Sequence, residues 1–132
     1  MILDASALIT FLRHEAEYDR VRDALANTVE PIRISSSTYL ETAIVVDGKR
    51  NPVSSRELDK LIETFEIEIV PFTGEHARIA REAYRDFGKG SGHPAKLNFG
   101  DCMAYALASS AREPLLYVGN DFSHTDIESA LT

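Results

Sequence analysis

The sequence contains a single cysteine, Cys102, among its 132 residues. One cysteine excludes a disulfide framework and a zinc site built from several thiolates, and it suits a reducing cytoplasm. No apolar run approaches the roughly 20 residues that a membrane-spanning helix requires. The opening segment MILDASALITFL lacks the basic residues of a signal peptide, and Asp4 interrupts its apolar stretch. We therefore expect a cytoplasmic protein with no membrane segment.

Basic residues are also scarce, because 14 Lys and Arg stand against 21 Asp and Glu, which gives a net charge of −7. This balance argues against a protein that coats nucleic acid through basic stripes. It does not exclude a nuclease, since acidic residues gathered around a metal ion are offset locally by that ion. The length is that of one domain, so we expect a single domain over residues 1–132.

Short apolar segments alternate with segments of helical period along the whole chain. Strands are predicted at residues 1–3, 32–34, 67–70 and 115–118. Helices are predicted at residues 5–12, 15–26, 38–47, 51–65, 75–87 and 101–111, with a short one near 127–131. Such alternation indicates parallel strands between two helical layers. The predicted fold class is therefore α/β, a three-layer α/β/α domain with a central, mostly parallel sheet of four to five strands.

Acidic residues stand at the points of this pattern where α/β folds bind ligands. Asp4 follows the first predicted strand, Asp121 follows the last one, and Asp101 lies in the first turn of a helix. In open α/β sheets the ligand crevice lies beyond the carboxyl ends of the strands. We therefore expect Asp4 and Asp121 to face the same edge of the sheet.

Glu41 and Asp101 are notable for their apolar helical neighbours. Glu41 has Ile44 and Val45 three and four residues later, and Asp101 is followed at the same spacings by Ala104 and Tyr105. A carboxylate on an inward face needs a compensating charge. A hard divalent cation such as Mg²⁺ supplies that charge and prefers oxygen ligands.

Each of these acids also has an ordinary structural explanation. Asp4 could cap the first helix, and Asp101 could stabilise a helix dipole. Asp121 could form an Asx turn, and Glu41 could be an exposed helical residue. From the residues alone, an acidic metal site is possible and not established.

Four passages, taken in order, resemble the PIN-domain family. They are MILDASAL, YLETAIV, NFGDCMAYALA and LLYVGNDF, and they look in particular like the VapC ribonuclease toxins of bacterial toxin–antitoxin pairs. The segment HPAKLNFGDC is similar to one branch of VapC proteins. The resemblance covers nearly the whole chain. It implies that Asp4, Glu41 and Asp101 are the family's acidic residues, and that Ser6 is the hydroxyl residue two places after the first acid.

The last match departs from the usual pattern. Many relatives carry an earlier aspartate in this turn, where the present chain has Gly119. Either Asp121 supplies a fourth carboxylate, or the site works with three acids and Asn120 as a polar helper. We predict that Asp121 supplies the fourth carboxylate. The resemblance further implies an endoribonuclease that depends on Mg²⁺ (or Mn²⁺), a homodimer, and a VapB-like antitoxin whose C-terminal segment covers the active site.

These residues suggest a specific hypothesis for phosphodiester hydrolysis. Asp4, Asp101 and Asp121 would hold the principal ion, directly or through water. Glu41 would orient or deprotonate the attacking water, or bind a second ion, and Ser6 would hydrogen-bond a ligand or a water.

Other residues and other functions are weighed against this hypothesis. Lys89, His93 and Lys96 precede Asp101 and are candidates for contacts with RNA phosphates, although an ordinary solvated loop explains them too. A non-catalytic PIN-like interaction module is the alternative function. A phosphohydrolase of the haloacid dehalogenase type would need a second aspartate two residues after Asp4, where the chain has Ser6.

Overall fold

Four short parallel strands form the sheet at the centre of the protein. The computed structural model describes residues 1–131. The strands are β1 (Ile2–Leu3), β2 (Arg33–Ser35), β3 (Glu68–Val70) and β4 (Leu115–Leu116). They are ordered β3-β2-β1-β4, and each neighbouring pair is parallel. The carboxyl ends of the adjacent strands β1 and β4 therefore lie at the same edge of the sheet.

Within residues 1–131, six helices connect and cover these strands. They are α1 (Ala5–Arg13), α2 (Tyr18–Asn27), α3 (Ser36–Asp47), α4 (Pro52–Thr64), α5 (Gly74–Phe87) and α6 (Phe99–Ala111). No helix among residues 1–131 is both long and apolar enough to cross a membrane.

The apolar core is divided by the sheet into two clusters. Ile2 and Leu115 pack into the cluster that includes residues of α5 and α6, whereas Leu3 and Leu116 pack into the cluster that includes residues of α1, α2 and α4. Successive side chains of a strand point to opposite faces, so the two clusters occupy the two sides of the sheet. This arrangement confirms the predicted three-layer α/β/α fold with a parallel sheet of four strands.

The predicted helix at residues 127–131 is wrong. This segment runs parallel to β4 and makes a bridge between Leu115 and Ser129. The Leu115 N–H donates to the Glu128 carbonyl at 2.9 Å, and the Ala130 N–H donates to the Leu115 carbonyl at 2.9 Å. Backbone groups at the open edge of β4 need partners, and the extended tail supplies them.

Several element boundaries also differ from the prediction, by one to three residues. The second helix begins at Tyr18 and not at residue 15, because His14 adopts a left-handed conformation (φ 49°) that ends α1. A turn over residues 15–17 then separates the two helices. The last strand ends at Leu116, two residues earlier than predicted, and the Val118 N–H donates to the Ser6 hydroxyl oxygen and not to a neighbouring strand.

Candidate metal centre

An open cleft of about 400 Å³ lies beyond the carboxyl ends of β1 and β4. All four predicted acids line it, together with one further acid. The five are Asp4, Glu15, Glu41, Asp101 and Asp121. No Lys or Arg of the described residues is among its lining side chains. The fold therefore concentrates negative charge at the edge of the sheet where the sequence predicted a ligand site.

Asp4 connects the end of β1 to the start of α1. It is the N-cap of α1, and its Oδ2 accepts hydrogen bonds from the Ser6 N–H at 3.1 Å and the Ser6 hydroxyl at 2.5 Å. The Ser6 Oγ in turn accepts a hydrogen bond from the Val118 N–H at 3.0 Å. Ser6 thus joins the first acid to the chain that leaves β4.

Asp101 lies at the third residue of α6, where it forms a capping box with Asn98. Its backbone N–H donates to Oδ1 of Asn98 at 2.9 Å, and its Oδ2 accepts from the Asn98 N–H at 3.0 Å. Its helical neighbours Ala104 and Tyr105 are buried, as is Asp101 itself at 8% exposure. The expectation that Asp101 occupies an inward face is therefore confirmed.

Glu41 reaches the cleft by a different route from the one expected. Its neighbours Ile44 and Val45 are 63% and 41% exposed, so α3 does not bury them within this chain. The half-buried Glu41 side chain extends instead to the first turn of α6. A Cβ on Gly100 would overlap Oε2 of Glu41 and lie 2.7 Å from its Cδ. Gly100 therefore leaves the space that the Glu41 carboxylate occupies.

Asp121 lines the cleft from the turn that follows β4, whereas Asn120 lines a separate hollow. Gly119 has a φ of 102°, in a region that favours glycine over residues with a side chain. The next aromatic residue, Phe122, is buried against Tyr117 with ring centroids 5.0 Å apart. This packing fixes the turn. Asp121, and not Asn120, therefore lies in the cleft with the other three predicted acids.

Burial and mutual repulsion raise the pKa values of three of these carboxyl groups. Burial is the main cause for Asp4, whose pKa rises to about 6 although the Ser6 hydrogen bonds oppose the change. Burial also raises the pKa of Asp101 to about 6, and the charges of Asp4 and Asp121 add to that rise. The pKa of Glu41 is raised by burial and by the charge of Asp101. Each ionised group here lacks a compensating positive charge from the cleft lining.

The donor set suits a hard divalent cation that keeps part of its water shell. Within residues 1–131, no three His, Cys, Asp or Glu side chains converge into a ready-made ligand cage. Mg²⁺ is commonly bound by one or two carboxylates, with water and substrate phosphate as its other ligands. The space left at Gly100 for the Glu41 carboxylate, and the raised pKa values, fit such an ion.

Sequence reasoning missed Glu15 as a member of this cleft. The Glu15 N–H donates to the Thr10 carbonyl at 3.0 Å after the left-handed His14, and this turn directs Glu15 back toward the cleft. Glu15 was assigned to the start of a helix, so nothing in its spacing indicated the cleft. The Thr10 hydroxyl also donates to the Glu15 carboxylate at 3.5 Å.

The three basic candidates lie outside the acidic cleft. Lys89 and Lys96 are exposed, and Lys89 lines a neighbouring cleft. His93 stabilises its own loop. Its Nδ1 accepts a hydrogen bond from the Ala95 N–H at 3.1 Å, and its ring packs edge-on against Phe87.

Comparison with known proteins agrees with the fold. The sequence matches the PIN domain family over residues 1–128. It is 56% identical over 131 residues to ribonuclease VapC28 of Mycobacterium tuberculosis, covering 99% of this chain and 98% of that protein. The chain therefore belongs to the PIN-domain family, in its VapC ribonuclease branch.

Solved structures with low sequence identity share the fold. The crystal structure of the sarcin–ricin loop-cleaving toxin VapC20 of Mycobacterium tuberculosis has a TM-score of 0.74 at 12% identity, with 96% of this chain and 95% of that one covered. A toxin–antitoxin complex from Klebsiella pneumoniae has a TM-score of 0.73 at 16% identity, with coverages of 98% and 96%.

Proposed function

We propose that residues 1–132 form one nuclease domain, and that it is the toxin of a VapBC-type toxin–antitoxin pair. Its activity is Mg²⁺-dependent endoribonuclease cleavage of RNA in the cytoplasm. The observation that carries this proposal is the cleft at the ends of β1 and β4, which gathers Asp4, Glu41, Asp101 and Asp121 in a chain of the VapC branch.

The four acids have two different roles in the proposed hydrolysis, metal binding and activation of the attacking water. Asp4, Asp101 and Asp121 would hold Mg²⁺, for which Mn²⁺ could substitute, with water completing the shell. A bound ion of this kind lowers the pKa of a water and neutralises charge on the scissile phosphate. Ser6 keeps Asp4 in place through two hydrogen bonds to Oδ2. These residues thereby set where the phosphate must lie.

Glu41 orients the attacking water or removes its proton. Burial raises the pKa of this carboxyl group, and a general base is most effective when its pKa lies near the working pH. Its carboxylate lies against Gly100 in the first turn of α6, next in sequence to Asp101. A water between Glu41 and the phosphate could then attack in line with the bond to the leaving oxygen.

The loop before α6 gives the RNA backbone its positive partners. We propose that Lys89, His93 and Lys96 contact phosphates outside the acidic cleft, where Lys89 and Lys96 are exposed. Phosphate contacts fix the register of a nucleic acid without reading its sequence.

A VapB-like antitoxin and a second copy of the chain are the proposed protein partners. The structural neighbour from Klebsiella pneumoniae is a toxin–antitoxin complex, which supports the antitoxin. Exposed apolar side chains on neighbouring helices support the homodimer, namely Leu40, Ile44 and Val45 on α3 and Val53 on α4.

A substitution on this surface tests the homodimer. We expect Ile44→Glu to convert the dimer to a monomer in light scattering. Val29→Glu is the control, because Val29 is 95% exposed but lies outside α3 and α4, and it should leave the dimer unchanged.

Cleavage of RNA by the purified chain tests the function. We expect cleavage with Mg²⁺ and none with EDTA, and at least a 100-fold lower rate in Asp4→Asn and Asp101→Asn. Asp59→Asn, at an exposed residue of α4, is the matched control and should keep the full rate. Circular dichroism must show that all variants are folded.

Two results would contradict the proposal. Equal cleavage by wild type, Asp4→Asn and Asp101→Asn would place the chemistry elsewhere or in a contaminant. A folded wild-type protein that cleaves no RNA under any divalent metal would favour the non-catalytic interaction module.

A further inference from the structure

A second cleft, of about 580 Å³, lies between α5 and the first turn of α6, directly beside the acidic cleft. Asn98, the N-cap of α6, lines both clefts. A ligand in the second cleft is therefore separated from Asp101 only by the start of one helix. The two clefts therefore meet at Asn98, at the N-terminal end of α6.

The second cleft is aromatic. Phe99, the first residue of α6, is 78% exposed, and Tyr84 of α5 is 47% exposed on the other side. Half-buried Phe72 completes the aromatic lining, and Ala77 and Cys102 are among the small residues that line it with them. An exposed phenylalanine costs free energy in water, so a planar partner that covers Phe99 would be stabilised by stacking.

The walls of this cleft are held firmly in place. The Tyr84 hydroxyl donates a hydrogen bond to the Lys89 carbonyl at 3.1 Å. Gly88 packs closely against Tyr84, because an added Cβ would overlap the Tyr84 carbonyl oxygen and come within 2.8 Å of a ring carbon. Phe99 stands on a helix whose first turn is closed by the Asn98–Asp101 capping box. A cleft fixed in this way binds a flat group with little loss of side-chain entropy.

Positive charge borders the cleft in a protein that carries a net charge of −7. Arg81 and Lys89 both line it, and neither takes part in an ion pair among residues 1–131. The acidic cleft next to it has no basic lining residue. The aromatic cleft is therefore where an anionic chain gains electrostatic attraction close to the acids.

We propose that the aromatic cleft binds a nucleobase of the single-stranded RNA substrate, adjacent to the scissile phosphate. Phe99 and Tyr84 stack on the base, and Arg81 and Lys89 bind the neighbouring phosphates. Aromatic stacking with nearby cations is how proteins hold single strands. The inference rests on the proposed ribonuclease function and assigns residues that select the cleavage site.

The geometry favours RNA over a protein partner at this cleft. An occupant must pass Asn98 to reach Asp101, and a nucleic acid strand does so while placing a phosphate at one cleft and a base at the other. The unpaired cations match phosphates. The exposed apolar residues of α3 and α4 give a protein partner a separate surface.

A tryptophan reporter tests binding without requiring cleavage. The chain has no tryptophan, so Phe99→Trp introduces a single one. In an Asp101→Asn background, we expect a single-stranded RNA 12-mer to quench its emission in a saturable manner. Val29→Trp in the same background is the control. It should show no saturable quenching, because Val29 is exposed and lines neither cleft.

Cleavage kinetics test the same residue in the active protein. We expect Phe99→Ala to lower kcat/KM by about 5- to 100-fold, mainly through KM, and Phe99→Tyr to restore most of it. Mapped product ends should become less selective in Phe99→Ala. Because the Phe99 side chain is largely exposed, the variant should keep the unfolding curve of the wild type.

The salt dependence of RNA binding tests the proposed phosphate contacts of Arg81 and Lys89. We expect Lys89→Ala and Arg81→Ala each to reduce the slope of log affinity against log salt by about 0.7, the contribution of one phosphate of a single strand. Arg85→Ala is the control, since Arg85 lies on the same helix, pairs with Asp86 and does not line the cleft.

Several outcomes would overturn the proposal while leaving the ribonuclease function intact. Wild-type kinetics and product ends in Phe99→Ala would do so. So would a change from dimer to monomer in Phe99→Ala, which would make the cleft an interface between copies. Quenching of Phe99→Trp by antitoxin but not by RNA would assign the cleft to that partner. Failure of the function itself is recognised separately, by a wild-type protein that cleaves nothing.

Discussion

Asp4 is both the N-cap of a helix and a member of the acidic cleft. It caps α1 through hydrogen bonds with Ser6, and it is buried at 5% exposure. Both explanations considered from the sequence, a helix cap and a member of an acidic site, therefore describe the same residue. The cap holds the carboxylate at the end of β1, and burial there raises its pKa to about 6.

This raised pKa predicts how the metal-free protein responds to pH. In the unfolded chain Asp4 has its ordinary pKa of 3.8, so between about pH 4 and pH 6 the folded state binds the proton more tightly. The resulting stability is fully present below pH 4 and is lost as the pH rises through about 6. Two pKa units correspond to about 3 kcal/mol in the free energy of unfolding.

Asp4→Asn should remove this dependence, since asparagine keeps the cap but cannot ionise. In EDTA at pH 7.5 we expect the variant to be more stable than the wild type by up to about 3 kcal/mol in urea unfolding, with no difference below pH 4. A variant that is less stable than the wild type at pH 7.5 would show that the buried charge is not costly.

Gly100 is a second residue whose identity is set by the site. We expect Gly100→Ala to displace the Glu41 carboxylate and to lower the cleavage rate by more than tenfold, because the Cβ would occupy the space of Oε2. The rate with saturating Mg²⁺ measures this.

Gly74→Ala is the matched control for Gly100→Ala. Gly74 also lies in the first turn of a helix, and a Cβ there would meet only Nη1 of Arg78 at 3.9 Å. We expect full activity and equal or slightly higher stability, given alanine's higher helix propensity. Equal activity of both variants would mean that the Glu41 carboxylate tolerates displacement.

Two chain segments that are far apart in sequence meet at Ser6. The β1–α1 junction carries Asp4, and the chain after β4 carries Asp121. Ser6 connects them because its hydroxyl donates to Asp4 and its oxygen accepts from the Val118 N–H at 3.0 Å. The same hydroxyl residue thus aligns two elements and the acids at their ends.

Ser6→Ala should therefore affect both stability and activity. We expect a loss of about 1 to 3 kcal/mol in urea unfolding, because the Val118 N–H loses its partner, and a cleavage rate lower by about tenfold. Ser123→Ala is the control: its hydroxyl donates to the Asn120 carbonyl on an exposed turn, so both quantities should barely change. A Ser6→Ala protein that matches the wild type in both measurements would refute this linking role.

For the whole molecule, the distribution of charge decides where a cation binds, and the net charge does not. Five carboxylates share one cleft without a basic lining residue, while Arg81 and Lys89 border the neighbouring one. A cation that binds the folded cleft and not the unfolded chain must stabilise the protein. Mg²⁺ at 100 times its dissociation constant would add about 2.7 kcal/mol, or roughly 10 °C in Tm.

A thermal-shift titration at pH 7.5 measures this effect. We expect a saturable rise in the Tm of the wild type with Mg²⁺, and a much smaller rise in Asp101→Asn. Asp59→Asn should respond as the wild type does. A Tm that is independent of Mg²⁺ in the wild type would argue against an ion held by these acids.

The sequence by itself determined the elements, the parallel sheet and the placement of Asp4, Asp101 and Asp121. These features depend on local period, on capping and on the rule that parallel strands end at one edge, all of which can be read along the chain. The tail at residues 127–131 was assigned wrongly because its extended form depends on the open edge of β4.

Only the tertiary structure decided how Glu41, Glu15 and Phe99 relate to the site. The apolar neighbours of Glu41 predict an inward face of α3, whereas they are exposed, and the Glu41 side chain enters the cleft beside Gly100 of α6. Glu15 and Phe99 have no distinctive spacing. Their roles arise from contacts between residues far apart in sequence or from exposure in the folded chain, and neither is a property of a local pattern.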